Sequence, residues 1–208
     1  MTTARRASWA VAVTAALLAT IAPLQHHAAA RAGHGPREVT YSVATVGVPP
    51  HVVPGFAREV ALTLADPRGW ARGGALRWRR VRHGGDLTIW LAAPGAMPSF
   101  SSTCTPAYSC RVGRDVVINR RRWNSGSTRR PGSLAAYRSY VVNHEVGHWL
   151  GLGHVPCPAR GRRAPVMLQQ SKGLDGCLAA SWPRDAELRR AGLPVTSPQR
   201  GGRRRPPA

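Results

Sequence analysis

A chain of 208 residues with four cysteines is long enough for one domain with a buried core. Its formal net charge is +21, and all but one of its 30 basic residues are arginine, the exception being Lys172. Such a charge steers the protein toward anions. No nucleic-acid recognition motif accompanies the arginines, so specific nucleic-acid binding is not expected.

The chain opens like a secretory signal. Arg5 and Arg6 form a basic start, Trp9 to Leu24 is an apolar run, and Ala28 to Ala32 offers small-residue cleavage sites after Ala30 or Ala32. The run is short for a span of about 20 apolar residues, so a cleaved signal over 1–30 is favoured over an uncleaved membrane anchor. No later segment is apolar enough to cross a bilayer. The product is expected outside the cell, secreted or anchored. Losing residues 1–30 removes only Arg5 and Arg6, which takes the charge from +21 to +19.

Residues 31–37 close a Gly/Ala/His linker, in which His26, His27 and His34 are read as non-ligands. One domain is expected over 38–195. Glu38 to Val46 alternates like a strand, and Pro54 to Leu64 reads as a helix with Phe56, Val60 and Leu64 on one face. Ala75 to Val81 and Asp86 to Leu91 read as a hairpin around His83-Gly84-Gly85. A long loop follows from Pro94 to Cys110, then a strand at Asp115 to Asn119 and a Gly/Ser/Arg loop. Pro131-Gly132-Ser133 is a breaker with an N-cap at Ser133, and the next helix runs without Gly or Pro from Leu134 to Gly147. Val142, Val146, Trp149 and Leu150 give it an apolar stripe. Pro156 to Cys177 is irregular, Trp182 to Arg190 is a short helix, and 196–208 is a disordered basic tail.

That central helix carries the chemistry. His144-Glu145-Val146-Gly147-His148 is followed by Gly151 and His154. Positions four apart on a helix share a face about 6 Å apart, so His144 and His148 can aim two imidazoles at one ion. Glu145 sits beside them, placed to hydrogen-bond a metal-bound water. Gly151 lets the helix stop and the chain turn, so that His154 returns as third ligand. Three protein ligands leave a tetrahedral Zn²⁺ site one open position, the mark of a catalytic ion. The competing readings are a polar helix face with solvated histidines and a degenerate site that no longer turns over.

The motif His-Glu-x-x-His-x-x-Gly-x-x-His resembles that of the metzincin clan of zinc metallopeptidases. The resemblance implies that His144, His148 and His154 are zinc ligands, that Glu145 is the general base, and that Met167 in Pro165-Val166-Met167 is the Met-turn residue forming a floor under the metal. Some metzincins place a tyrosine two residues after that methionine, where this chain has Gln169, and an acidic residue after the third histidine, where it has Val155. Over about Arg37 to Leu193 the sequence also resembles a family of secreted actinobacterial proteins predicted to be zinc peptidases. Leu91 to Gly95, Tyr108 to Gly113, Val117 to Asn119, Val142 to Glu145 and Ala164 to Met167 carry that likeness.

The implied architecture is α+β and metzincin-like. A small twisted mixed sheet and the active-site helix form an N-terminal lobe. The C-terminal lobe is irregular, with the Met-turn and a short helix, and the zinc lies in the cleft between them. Four cysteines allow three pairings. Cys104–Cys110 is expected to close a small loop around Pro106, and Cys157–Cys177 to bracket the Met-turn segment. Tyr108 to Val112 or Val116 to Asn119 is the candidate edge strand for an extended peptide.

The expected activity is that of a monomeric endopeptidase that hydrolyses a peptide or protein substrate with a zinc-activated water and Glu145 as base. Two alternatives stand beside it: a zinc amidase acting on cell-wall material, and a non-catalytic basic module with a relic site. Arginine clusters at Arg77 to Arg80, Arg120 to Arg122, Arg129-Arg130, Arg160 to Arg163 and Arg203 to Arg205 make anionic envelope polymers a candidate partner. The bland reading of those clusters is a solvated surface rich in arginine.

Overall fold

The computed structural model describes residues 36–195. The expected signal segment over 1–30, His26, His27, His34 and the expected basic tail over 196–208 lie outside them. The described chain is α+β, with a five-stranded mixed sheet and helices packed on one of its faces.

The first strand, β1, spans Arg37–Val46 and is followed by helix α1, Val53–Ala65. Strands β2, Leu76–Arg80, and β3, Leu87–Ala92, come next. The strand β4, Cys110–Val112, turns tightly into β5, Asp115–Asn119. Three helices complete the fold: α2, Arg120–Ser125; α3, Leu134–Trp149; and α4, Asp185–Arg190. The sheet order is β2-β1-β3-β5-β4. The first four of these strands are parallel, and β4 closes the edge antiparallel to β5.

The expected hairpin between β2 and β3 does not form. Both strands run parallel to β1, on opposite sides of it: Tyr41 pairs with Arg80 at the end of β2 and with Leu87 at the start of β3. The linking segment therefore passes across β1 instead of turning back. Gly85 marks the crossing. It has φ +88°, and a Cβ there would lie 3.0 Å from the Thr40 carbonyl oxygen and 3.2 Å from Tyr41 Cα. Glycines that read as a hairpin turn in sequence serve here to let one backbone ride over another. The expected edge at Val116 to Asn119 is also corrected. β5 lies between β3 and β4, so β4 is the free edge on that side.

Interior parallel strands are covered on both faces, which accounts for their unbroken apolar runs. Ile89, Leu91, Val116 and Ile118 point toward α1 and α3, where they join Phe56, Val60, Leu64 and Val141. Val117 and Ala92 face the other way and pack with Met97 and Cys104 under the loop that follows β3. That loop holds a short 3₁₀ helix, Pro94–Ser99, and its Phe100 stacks edge-on against Trp90 at 5.3 Å.

Helix α2 stands where only a loop is expected. Three consecutive arginines obscure it in sequence, but Asn119 caps it by accepting from the amides of Arg121 and Arg122. Trp123 is its buried anchor, edge-on to Phe56 at 4.9 Å.

Two disulfides are present, Cys104–Cys110 and Cys157–Cys177, the pairing expected from the sequence. They fit an oxidising, extracellular setting. Among the described residues no helix is long and apolar enough to cross a membrane.

Candidate metal centre

Helix α3 begins where its cap predicts. Ser133 Oγ accepts from the Ala136 amide, and the helix runs on for 16 residues. Its second half is buried nearly all round, so the histidine face is buried as well as the apolar stripe. Asn143, His144, Glu145, Val146 and Gly147 are all interior.

Gly147 is there for close packing. A Cβ on it would stand 2.3 Å from Met167 Sδ and 2.9 Å from Trp70 Cζ2. The indole Nε1 of Trp70 donates to the Asn143 carbonyl at 3.0 Å, which fixes the ring against the helix. After the helix, Gly151 takes φ +90° and the chain reverses toward His154.

His144, His148 and His154 converge, with one ring nitrogen from each within 4.8 Å of the others. Two of these rings have defined tautomers. His144 Nδ1 lies 2.7 Å from the Val166 carbonyl oxygen, and His148 Nδ1 lies 2.8 Å from that of Leu152. A carbonyl oxygen can only accept, so each Nδ1 carries the proton and each Nε2 presents a bare lone pair. Those two Nε2 atoms face each other at 3.1 Å. Two lone pairs at that distance repel unless a cation lies between them. A tetrahedral ion with metal–nitrogen bonds of about 2.0–2.1 Å would hold its nitrogens about 3.3 Å apart. The donor set therefore fits a metal ion, with backbone carbonyls orienting the rings from behind.

Burial favours the neutral, metal-binding form of each ring. Desolvation lowers the His144 pKa well below its ordinary value, and His148 adds to the effect. His148 and His154 are lowered for the same first reason, helped by His154 and Lys172 respectively.

Glu145 is 1% exposed, and burial pushes its carboxyl up to about 8 against the opposing pull of Gln170 and Arg111. Gln170 Nε2 donates to the Glu145 Oε1, while Glu145 Oε2 has no hydrogen-bond partner among the described residues. His144, Glu145, His148 and His154 line a cleft of about 290 Å³. Arg111 on the edge strand β4, with Tyr108 and Ser109 just before it, forms one wall. Gln169 and Gln170 form another.

The segment from Val155 to Leu193 has little regular structure, and a buried carboxylate organises it. Glu187, 2% exposed, accepts from the amides of Val166, Met167 and Arg184. Met167 itself is fully buried against Gly147. The Val155 amide donates to the Met167 carbonyl, which ties the chain next to His154 to the same turn.

The structure thus brings together all four motif residues and sets Met167 beneath the helix that bears them. The sequence reading missed Gln170, Arg111 and Glu187. None belongs to a motif. The signal for Gln170 was weak but present, since a polar pair directly after the buried Val166-Met167-Leu168 run must face something other than the core.

Residues 24–189 match the model of a family described as protein of unknown function DUF3152. The chain belongs to that family. No curated protein matches it.

Proposed function

We propose that this protein is a secreted, zinc-dependent metallopeptidase of metzincin type, acting as an endopeptidase on peptide or protein substrates. The observation that carries this reading is the pair of proton-free Nε2 atoms of His144 and His148, joined by His154 beside a buried carboxyl in an open cleft. His144, His148 and His154 would hold the ion. When bound, zinc supplies Lewis-acid polarisation and a water of lowered pKa.

The chain's own groups do the rest. Glu145 takes a proton from the attacking water and returns one to the leaving amine, a task suited to a carboxyl whose acidity burial has weakened. Gln170 keeps the Glu145 side chain turned toward the cleft through its amide. The Val166 and Leu152 carbonyls hold the His144 and His148 rings in the tautomer that binds metal. Met167 packs under Gly147 as the floor of the site. β4 offers its free edge beside the cleft, which suits an extended peptide laid along it.

The test uses the oxidised mature protein with a diverse peptide library, zinc content measured in parallel, and Glu145→Ala as control. Cleavage by wild type alone, with stoichiometric zinc in both proteins, is the expected result. Equal cleavage by Glu145→Ala would remove Glu145 from the mechanism. Zinc bound without cleavage would move the substrate to a non-peptide amide such as cell-wall material, or leave a binding module.

A further inference from the structure

A cavity larger than the histidine cleft lies elsewhere among the described residues. It is a basin of about 660 Å³ lined by six arginines, with Asp185 as the sole carboxylate and Trp182 in its wall. Three separate stretches of chain build it: the turn after α1, the loop inside the Cys157–Cys177 disulfide, and the start of α4.

The arginines fall into two groups. Arg68 and Arg72 are fixed in place. Arg68 pairs with Asp66 and lies over the Trp182 ring at 4.4 Å, and Arg72 pairs with Asp185. Arg72 also keeps a buried Nε–H with no acceptor among the described residues. The other four, Arg162, Arg163, Arg184 and Arg189, have no carboxylate partner among the described residues.

Gathering unpaired guanidinium groups around one concavity raises the local positive potential, and concave walls focus it. The fold nevertheless holds them there, with a disulfide under the loop that carries Arg162 and Arg163. Guanidinium forks match phosphate and carboxylate oxygens two at a time. The volume falls in the range that accommodates a ligand of several units, about 300–1,000 Å³, not a lone inorganic ion. The half-exposed indole of Trp182 carries Arg68 over one face, which leaves its other face and edge as the apolar surface for the C–H face of a sugar ring.

We propose that this basin binds an anionic glycan chain, with phosphate or carboxylate groups on Arg162, Arg163, Arg184 and Arg189 and a sugar ring against Trp182. The site is separate from the histidine cleft, with which it shares no lining residue. It anchors the protein to a polyanionic matrix whether or not the cleft turns over substrate.

Isothermal titration calorimetry of the full mature, oxidised protein tests this with phosphorylated dextran, carboxymethyl dextran and neutral dextran of matched length. Binding of one or both charged polymers, weakening steeply with salt, and none of the neutral one is expected. The preference between the charged pair tells a phosphate-bearing from a carboxylate-bearing source. Arg162→Ser/Arg163→Ser should weaken binding at least tenfold. Arg77→Ser/Arg80→Ser, which removes the same charge from the edge strand β2, should change it less than twofold. Trp182→Ala should weaken binding of the charged dextrans but not of a sugar-free polyphosphate. An equal loss from the β2 pair would overturn the site, because the affinity would then follow net charge alone. Tighter binding of single-stranded DNA than of either charged dextran, or a Trp182→Ala loss that is the same for polyphosphate, would overturn the ligand class. Unfolding midpoints of the variants equal to wild type confirm that the fold is intact.

Discussion

The three histidines that converge in the cleft come from two regions built on different principles. His144 and His148 sit on α3, whose backbone satisfies its own hydrogen bonds and whose faces are packed by the sheet, α1 and Trp70. His154 sits in the segment beyond Gly151, where regular structure nearly ceases. Order there depends on a disulfide, on Glu187 gripping three amides, and on a few backbone bonds such as Val155 to Met167. The first region sets its ligands by burial, and the second by cross-linking. His144 is buried and His154 exposed, and this asymmetry carries through to their electrostatics. An ion held here would take two ligands from the packed helix and a third from a tethered arm.

Removing the histidines one at a time should have the largest effect. His144→Ala should lose stoichiometric zinc altogether, with His148→Ala close behind. His154→Ala should leave measurable two-histidine binding, weakened by a hundredfold or more. Even residues behind the ligands cost 10- to 100-fold in metal affinity when removed. Competition with a chromophoric chelator checks this. Equal losses at all three positions would mean that the arm is as rigid as the helix.

The next largest effect tests what orders the arm. Glu187→Ala leaves the Val166, Met167 and Arg184 amides without their buried acceptor. Hydrogen bonds to a charged group contribute about 1.5–3 kcal/mol each in buried settings, so the cost is expected at about 3 kcal/mol or more. Urea unfolding measures it. Zinc affinity should fall too, because Val166 also supplies the carbonyl that holds the His144 ring. Close to this in size, replacing Cys157 and Cys177 by serine opens a loop spanning 20 residues. The chain-entropy relation puts that at about 3 kcal/mol. The same replacement at Cys104 and Cys110 opens a loop spanning only six and should cost less.

The contrast also explains what could be read in advance. The helix, its Ser133 cap, the four motif residues and the turn at Gly151 follow from spacing and local chemistry, so they were legible. Both cysteine pairs were legible because each joins neighbours along the chain. The path of β2 to β3 was not, since His83-Gly84-Gly85 reads the same whether the chain turns back or crosses another strand. Only the Thr40 backbone, some 45 residues away in sequence, tells the two apart. Helix α2 was hidden because Arg120 to Arg122 carry no apolar period and Trp123 is its single buried residue. Glu187 was illegible for a similar reason. Nothing in a short charged helix announces that one of its acids turns inward to hold a loop.

The smallest predicted effect separates the two kinds of titratable group in the site. Burial lowers the three histidine pKa values, so in the metal-free protein the unfolded chain takes up protons first as pH falls below about 6.5. Their contribution to stability is thus present above that pH and lost below it. Glu145 works in the opposite sense. Its folded pKa is raised to about 8, so the folded state keeps a proton that the unfolded state releases above about 4.3, and stability declines as pH rises between those values. Between pH 6.5 and 4.5 the two slopes oppose and partly cancel. Glu145→Gln removes one of them. Metal-free Glu145→Gln should therefore lose stability more steeply than wild type between pH 6.5 and 4.5, as followed by urea midpoints. Between pH 6.5 and 8 wild type should lose stability where the variant stays flat. Parallel curves for the two proteins would mean that Glu145 titrates as an ordinary surface acid and that its burial has no hold on its proton.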